Sequence, residues 1–185
     1  MSVAEVLFSA SVPGKTFLLG EYLALDGGPS LLLTTEPRFE LKIENAATAS
    51  AFAVGSPAWR FLQGRCSPDA IKQFNFIDPY RGQGGLGASS AQFALVYAWV
   101  HRLSDVSPEK FNWLALLEEY RRAAWDGVGP APSGADVVAQ FCGGISFFDG
   151  RNLRVKKLSW NFPNLSFTLI RTGHKLPTHL HLAQA

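Results

Sequence analysis

The segment best suited to chemistry is a glycine-rich stretch at residues 82–91, which reads Gly-Gln-Gly-Gly-Leu-Gly-Ala-Ser-Ser-Ala and leads into an apolar run. Glycines let backbone N–H groups approach a ligand closely, because no Cβ intervenes. The two serines stand where a helix is expected to begin. The unpaired N–H groups and the positive dipole end of a helix N-terminus favour a phosphate. The stretch therefore predicts a nucleotide phosphate site.

A second segment with chemical potential is Pro13-Gly14-Lys15-Thr16, whose Gly-Lys-Thr resembles the end of a P-loop. The P-loop interpretation is not favoured, because Ser9 stands where the first glycine should be and a strand-like sequence follows Thr16. Lys15 is then either a solvated turn residue or a phosphate partner. Glu21 is either a surface acid or a carboxylate that pairs with Lys15 or helps to hold Mg²⁺.

The third segment runs from Pro130 to Asp136 and combines a stiff Pro/Gly loop with an acid one turn into a short predicted helix. An acid in the first turn of a helix can simply complement the dipole. Its other possible role is to accept the proton of a substrate hydroxyl during phosphoryl transfer.

The glycine stretch also has two competing interpretations. Gly82, Gly84 and Gly87 fit the Gly-x-Gly-x-x-Gly fingerprint of a Rossmann-type dinucleotide-binding domain, and Asp105 lies about 20 residues on, where the ribose acid is expected. That fingerprint follows a buried strand, whereas Asp78-Pro79-Tyr80-Arg81 precedes it here. The remaining alternative is a structural turn into a buried helix.

The elements that must position these segments are predicted from apolar periodicity and from turn and cap residues. Pro13-Gly14 is expected to separate the first two strands, Ser89 or Ser90 to cap the first long helix, and Ser107-Pro108-Glu109 to start the next. Strands, then helices, then strands predict an α+β fold. The predicted strands are 6–12, 16–19, 39–43, 74–76, 145–148, 153–158 and 165–170, and the predicted helices are 89–103, 107–125 and 135–141.

Composition restricts the class of protein. The chain has 185 residues, 47% of them hydrophobic, and a formal net charge of +2. These values suit one packed domain and give no nucleic-acid or membrane-surface signature. Cys66 and Cys142 lack metal-ligand spacing and are expected to be free thiols in a reducing compartment. With no signal peptide and no apolar run long enough to span a bilayer, a soluble cytoplasmic protein is expected.

Taken together and in this order, the segments resemble the motifs of the GHMP kinase family, which comprises the galactose, homoserine, mevalonate and phosphomevalonate kinases. The Gly-Glu-Tyr form at residues 20–22 is most similar to the phosphomevalonate kinase branch. The resemblance runs from about residue 9 to residue 182. Its motifs are residues 13–15 with 20–22 and 27–29, residues 85–91, residues 132–136 with 143–144, and Thr172-Gly173 with Thr178.

This resemblance implies a ribosomal-protein-domain-like fold with a left-handed βαβ unit and a mixed sheet packed on helices. It implies an ATP-dependent kinase of the mevalonate or phosphomevalonate type, which uses Mg²⁺ and phosphorylates a small-molecule alcohol or phosphate.

The resemblance also implies roles for individual residues. Asp136 would be the base or orienting acid for the acceptor hydroxyl, with Lys15 beside it. Ser89 or Ser90 would lie near the metal, Asp126 is a candidate second metal ligand, and Glu118 and Glu119 are weaker ones. The residues expected to hold the nucleotide phosphates are Gly84, Gly85, Leu86, Gly87, Ala88, Ser89 and Ser90, and those expected at the substrate are Glu21, Ser133 and Gly134.

Residues 1–185 would form the family's N-terminal, ATP-binding domain as a single unit, without the C-terminal domain that forms the other wall of the cleft. The chain alone would then be an incomplete enzyme, completed by a missing C-terminal half or paired as a homodimer. The alternative in a different class is a non-catalytic nucleotide-binding or dimerisation module.

Overall fold

The computed structural model describes residues 5–45, 51–103, 107–161 and 163–170. Strands precede and follow a helical segment, so the predicted α+β class is confirmed. The elements in chain order are β1 (Val6–Leu19), α1 (Glu21–Leu25), β2 (Pro29–Glu44), α2 (Pro57–Leu62), α3 (Pro68–Ile71), β3 (Phe74–Ile77), α4 (Ala88–Val100), α5 (Trp113–Ala124), α6 (Ala135–Cys142), β4 (Ile145–Asp149) and β5 (Arg154–Leu158).

The sheet is organised around β2. β1 pairs along almost the whole length of β2, while β4 and β3 pair with the first and last parts of β2, and β5 follows at the outer edge of β4. Since the segments of β2 that pair with β3 and β4 are also paired with β1, β3 and β4 must share its other edge. We expected a mixed sheet, but every strand pair among the described residues is antiparallel.

The first strand differs from its prediction. Pro13-Gly14 does not end it, and β1 continues for 14 residues from Val6 to Leu19. The proline is accommodated by a shift in register between Val12 and Gly14, where Pro13 alone stands opposite residues 36–38, so the extra residues of this irregularity lie on β2. Because proline has no N–H to donate, a position outside the regular ladder is one that it tolerates.

The helix α4 is the centre of the core, as its apolar sequence predicts. Eight of its 13 residues are buried, and α4 packs together with α6 against β1 and β2. The helix α2 covers α4 on the side away from the sheet and also contacts α5. Because most of α4 is buried, the position of its N-terminus, which belongs to the candidate site, is fixed by the core.

Two other predicted elements are wrong. Ser107-Pro108-Glu109 does not start a helix, because the Ser107 hydroxyl bonds the Glu109 carboxylate at 2.8 Å, and α5 begins instead at Trp113 with Asn112 as its cap. Residues 165–170 do not form a strand and pair with none of the described strands.

Within the described ranges, none of the helices combines the length and apolar character needed to cross a bilayer. Cys66 and Cys142 are both free thiols.

Candidate active site

The glycine-rich loop is shaped by one carboxylate and by left-handed backbone. Both oxygens of Asp78 accept hydrogen bonds, from Tyr80 N at 2.8 Å and from Gly82 N at 2.8 Å. Gly82 and Gly85 have φ angles of 73° and 96°, a region that suits glycine because it has no Cβ. Residues 81–85 are exposed. The loop therefore presents accessible backbone just ahead of α4.

The N-terminus of α4 is capped by Gly87 rather than by a serine, which corrects the prediction. Gly87 has a φ of 84°, and in the structure as described no side chain caps the helix. Ser90 is buried and its hydroxyl donates to Gly87 O at 2.9 Å, so only Ser89 is exposed to solvent. The first-turn N–H groups thus remain open to an anion, with one serine hydroxyl beside them.

Lys15 lies directly against this helix N-terminus. Its backbone N–H donates to Leu86 O at 3.0 Å. Its side chain runs past Gly87 so closely that a Cβ on Gly87 would stand 3.0 Å from Lys15 Cγ and 3.1 Å from Lys15 Cε. The ammonium lies 4.9 Å from the centre of the Phe17 ring. The absence of a side chain at Gly87 therefore provides the space that Lys15 occupies.

Asp136 sits in the first turn of α6, as predicted, after Gly134 in a left-handed conformation. Its carboxylate accepts hydrogen bonds from Tyr120 OH at 3.3 Å and from Val137 N at 3.0 Å. Burial, followed by the negative charge of Asp136, raises the pKa of Tyr120 well above its usual value. Tyr120 therefore keeps its proton and orients the carboxylate.

The loop before Asp136 is held by an arginine that sequence reasoning missed. Arg121 Nε donates to Pro132 O at 3.2 Å, and its Nη2 donates to Ser133 O at 3.3 Å. The Ser133 hydroxyl accepts from Ala135 N at 3.3 Å. Ser133 and Gly134 are thus engaged in building the turn into α6.

Gln140 is the second residue that the sequence analysis missed, and it joins the three predicted segments. It lies one turn after Asp136 on the same face of α6. Its amide nitrogen donates to Gly87 O at 3.0 Å and to Pro13 O at 3.3 Å. A polar residue inside the otherwise apolar stretch 137–142 was the only signal that could have identified it.

Among the described contacts, none joins Glu21 or Asp126 to Lys15, Gly87 or Asp136. Glu21 is exposed in the first turn of α1, and Asp126 accepts a hydrogen bond from Val128 N at 3.0 Å in an exposed loop. Glu119 forms an ion pair with Arg65 at 2.9 Å. No ion pair joins Lys15 and Asp136 among those of the described residues. In the same ranges, no three His, Cys, Asp or Glu side chains are grouped to hold a metal ion. Asp105, Thr172-Gly173 and Thr178 lie outside the described residues.

A large cavity lies away from this group of residues. It measures about 1110 Å³ and is lined mainly by β1 residues 7–12 and by the C-terminal ends of α4 and α6. Gln140 is the one residue of the candidate site that reaches it, and Lys15, Ser89 and Asp136 do not line it. We assign the site by the convergence of polar groups rather than by cavity size, because a phosphate-binding helix terminus needs exposed N–H groups rather than an enclosed volume.

Comparison with known proteins supports the fold. Neither a protein-family model nor a curated protein sequence matches the chain. Among solved structures, the mevalonate kinase of Methanococcus jannaschii is 13% identical with a TM-score of 0.53, over 84% of this chain and 56% of that one. A second mevalonate kinase is 13% identical with a TM-score of 0.54, over 84% and 57%. The Streptococcus pneumoniae phosphomevalonate kinase is 17% identical with a TM-score of 0.52, over 80% and 50%.

The chain therefore shares the fold of mevalonate and phosphomevalonate kinases and spans about half the length of these structures. An antiparallel sheet is also a poor match for the dinucleotide-binding alternative, because a Rossmann-type site is built on parallel βαβ units.

Proposed function

We propose that the chain is the nucleotide-binding part of a GHMP-type kinase, which transfers a phosphoryl group from ATP to a small-molecule alcohol or phosphate. The observation that carries the proposal is the meeting of Lys15, Gly87 and α6 at the uncapped N-terminus of α4. Such a terminus favours an anion. Because the chain shares its fold with mevalonate and phosphomevalonate kinases, mevalonate and phosphomevalonate are the first acceptors to test.

Each residue has a role that follows from its position. The free N–H groups of residues 87–89 bind phosphate oxygens, and Lys15 neutralises the charge that develops on the transferred group. Asp136, held by Tyr120, orients the acceptor hydroxyl and takes its proton. Residues 84–90 form the phosphate cradle as a whole.

The candidate site offers fewer protein groups to Mg²⁺ than to phosphate. The exposed hydroxyl of Ser89 is the protein group best placed to hold the ion, since Ser90 is engaged with Gly87 O. When bound, Mg²⁺ supplies charge neutralisation of the phosphates. The nucleotide itself would therefore provide most of its ligands.

Three further features belong to the proposal. Residues 1–185 correspond to the family's N-terminal domain with its left-handed βαβ unit. A second domain, or a second copy of the chain, completes the cleft. The setting is a reducing cytoplasm, which the two free thiols support.

Calorimetric titration of the 185-residue chain tests the nucleotide site. We expect saturable binding of one Mg-ATP and no binding of NAD, because the loop and helix suit a triphosphate rather than a dinucleotide. Binding of NAD in place of Mg-ATP would support the dinucleotide alternative, and a tight homodimer that binds neither would support the non-catalytic module. Release of ADP with mevalonate or phosphomevalonate then tests the reaction.

A further inference from the structure

The strand that carries Lys15 has an irregularity two residues before it. The register of β1 on β2 changes between Val12 and Gly14, so Pro13 has no paired residue in the described ladder. Pro13 is buried, and its carbonyl accepts a hydrogen bond from Gln140 Nε2 at 3.3 Å. The extra residues of this irregularity lie on β2, where residues 36–38 stand between the partners of Val12 and Gly14. Bulges next to active sites re-aim nearby side chains, so the direction of Lys15 depends on how Pro13 is held where the ladder is interrupted.

The same amide nitrogen of Gln140 reaches the cap of α4. It donates to Gly87 O at 3.0 Å, although that carbonyl already accepts from Ser90 Oγ at 2.9 Å and from Ala91 N at 2.8 Å. The bond from Gln140 is thus not needed to satisfy Gly87 O. Its effect is to connect the helix N-terminus to Pro13, where the pairing of β1 with β2 is interrupted.

Gln140 is also a buried polar residue among apolar neighbours. It is only 2% exposed, and its Oε1 has no hydrogen-bond partner among the described residues. Its neighbours Val137, Val138 and Ala139 are buried apolar residues. An apolar side chain at this position would leave the buried carbonyl of Pro13 without the hydrogen bond that Gln140 donates.

We infer that Gln140 is a positioning residue that sets the place of Lys15 relative to a phosphate bound at α4. The inference rests on the proposed function for the identity of that phosphate. One amide nitrogen bonded to Pro13 O and Gly87 O fixes the separation between Pro13 and the helix cap. Lys15 follows Pro13 by two residues and lies against Gly87, so this link determines where its ammonium meets the transferred group.

Two variants remove the link in different ways. Gln140→Met keeps the length of the side chain but cannot donate a hydrogen bond. Gln140→Asn keeps the amide on a side chain one methylene shorter, which cannot reach both carbonyls, and it serves if the methionine variant does not fold. Val138→Ala is the matched control, since it removes buried atoms from the same helix without touching either carbonyl.

The first measurement needs no ligand. The Lys15 N–H donates to Leu86 O, so its hydrogen exchange reports directly on the contact between β1 and the glycine loop. We expect the exchange of this amide to accelerate by about tenfold in Gln140→Met, while the amides of α5 change little. In Val138→Ala, any acceleration should be shared by the Lys15 amide and the α5 amides.

The second measurement compares Mg-ATP with adenosine, which has no phosphates. The Gln140 variants should bind Mg-ATP about tenfold more weakly than the wild type. Their affinity for adenosine should equal that of the wild type. An equal loss for both ligands, or unchanged Lys15 exchange, would overturn the inference and leave the proposed function standing. A wild-type chain that binds no Mg-ATP would instead overturn the proposed function.

Discussion

At the scale of single residues, the candidate site depends on how one carboxylate is oriented. Asp136 has one oxygen bonded to the phenol of Tyr120 and the other to a backbone N–H of its own helix. Both bonds limit rotation of the carboxylate. Proton transfer is efficient only when the base is held within hydrogen-bond reach of the acceptor hydroxyl, so the orientation given by Tyr120 should affect the rate.

Substitutions at Tyr120 and Asp136 should separate orientation from chemistry. Tyr120→Phe removes the hydroxyl that bonds Asp136 and keeps the ring contact with Phe93, so we expect turnover to fall by about tenfold. Asp136→Asn removes the base and should reduce turnover by about a hundredfold or more, as should Lys15→Met. Mg-ATP binding should be unchanged in Tyr120→Phe and Asp136→Asn and weaker by about tenfold in Lys15→Met, because the ammonium that meets the phosphates is lost. The measurement is ADP release with the complete catalytic protein, and normal turnover of Asp136→Asn would exclude its assigned role.

The residues that sequence reasoning found and missed differ in one respect. Lys15, Ser89 and Asp136 lie inside short motifs with recognisable neighbours. Gln140 acts through partners 53 and 127 positions away, which only the folded chain brings within reach. The pairing of Tyr120 with Asp136 is a long-range contact of the same kind.

At the scale of elements, the junction between the glycine loop and α4 carries the strongest steric requirement. Gly87 needs both a positive φ and free space, because Lys15 fills the place of a side chain there. Gly82 needs only the positive φ, since an added Cβ would have no described atom within 4 Å. Substitutions at these two glycines therefore distinguish the cost of backbone strain from the cost of steric crowding.

Gly87→Ala should harm both stability and nucleotide binding, with Gly82→Ala as its control. We expect about 1 kcal/mol of destabilisation from the backbone in each variant. Gly87→Ala should lose roughly another 1 kcal/mol, and about tenfold in Mg-ATP affinity, because Lys15 must move. Urea unfolding and calorimetric titration measure these effects. Equal losses in the two variants would contradict the crowding argument.

The predictions of secondary structure were wrong where strand pairing or a side-chain hydrogen bond outweighed a local turn or cap signal. Pro13-Gly14 is a strong turn signal, but the long pairing with β2 carries the strand through it. Ser107 was expected to cap α5 and instead bonds a neighbouring side chain. Periodic segments such as Phe39, Leu41 and Ile43, all buried in β2, were predicted correctly because burial of one face determines their pattern.

At the scale of the whole molecule, the buried thiol of Cys142 makes the free energy of unfolding depend on pH in the alkaline range. Burial is the largest effect on Cys142 and raises its pKa to about 11. In the unfolded chain this thiol ionises near pH 8.5. Between these values the unfolded state binds fewer protons than the folded state, so the free energy of unfolding falls as pH rises.

We expect wild-type stability to decrease by roughly 2 kcal/mol between about pH 8.5 and pH 11 through this thiol alone. Cys142→Ala should lack that part of the decrease, and the difference between the two proteins removes the contribution of other titrating groups. Cys66→Ala is the control, because Cys66 is only half-buried and should contribute less. Parallel pH profiles for wild type and Cys142→Ala, obtained from denaturant unfolding, would contradict the assignment.

The strand β2 has a mechanical consequence for the site. β1 carries Lys15, β3 leads into the glycine loop, and β4 follows directly from α6, and all three strands pair with β2. A displacement of β2 should therefore move Lys15, the start of the glycine loop and the end of α6 together. Opening or closing of the site is then expected in the parts of the segments that lie outside the strands and helices, the loops at 78–87 and 127–134.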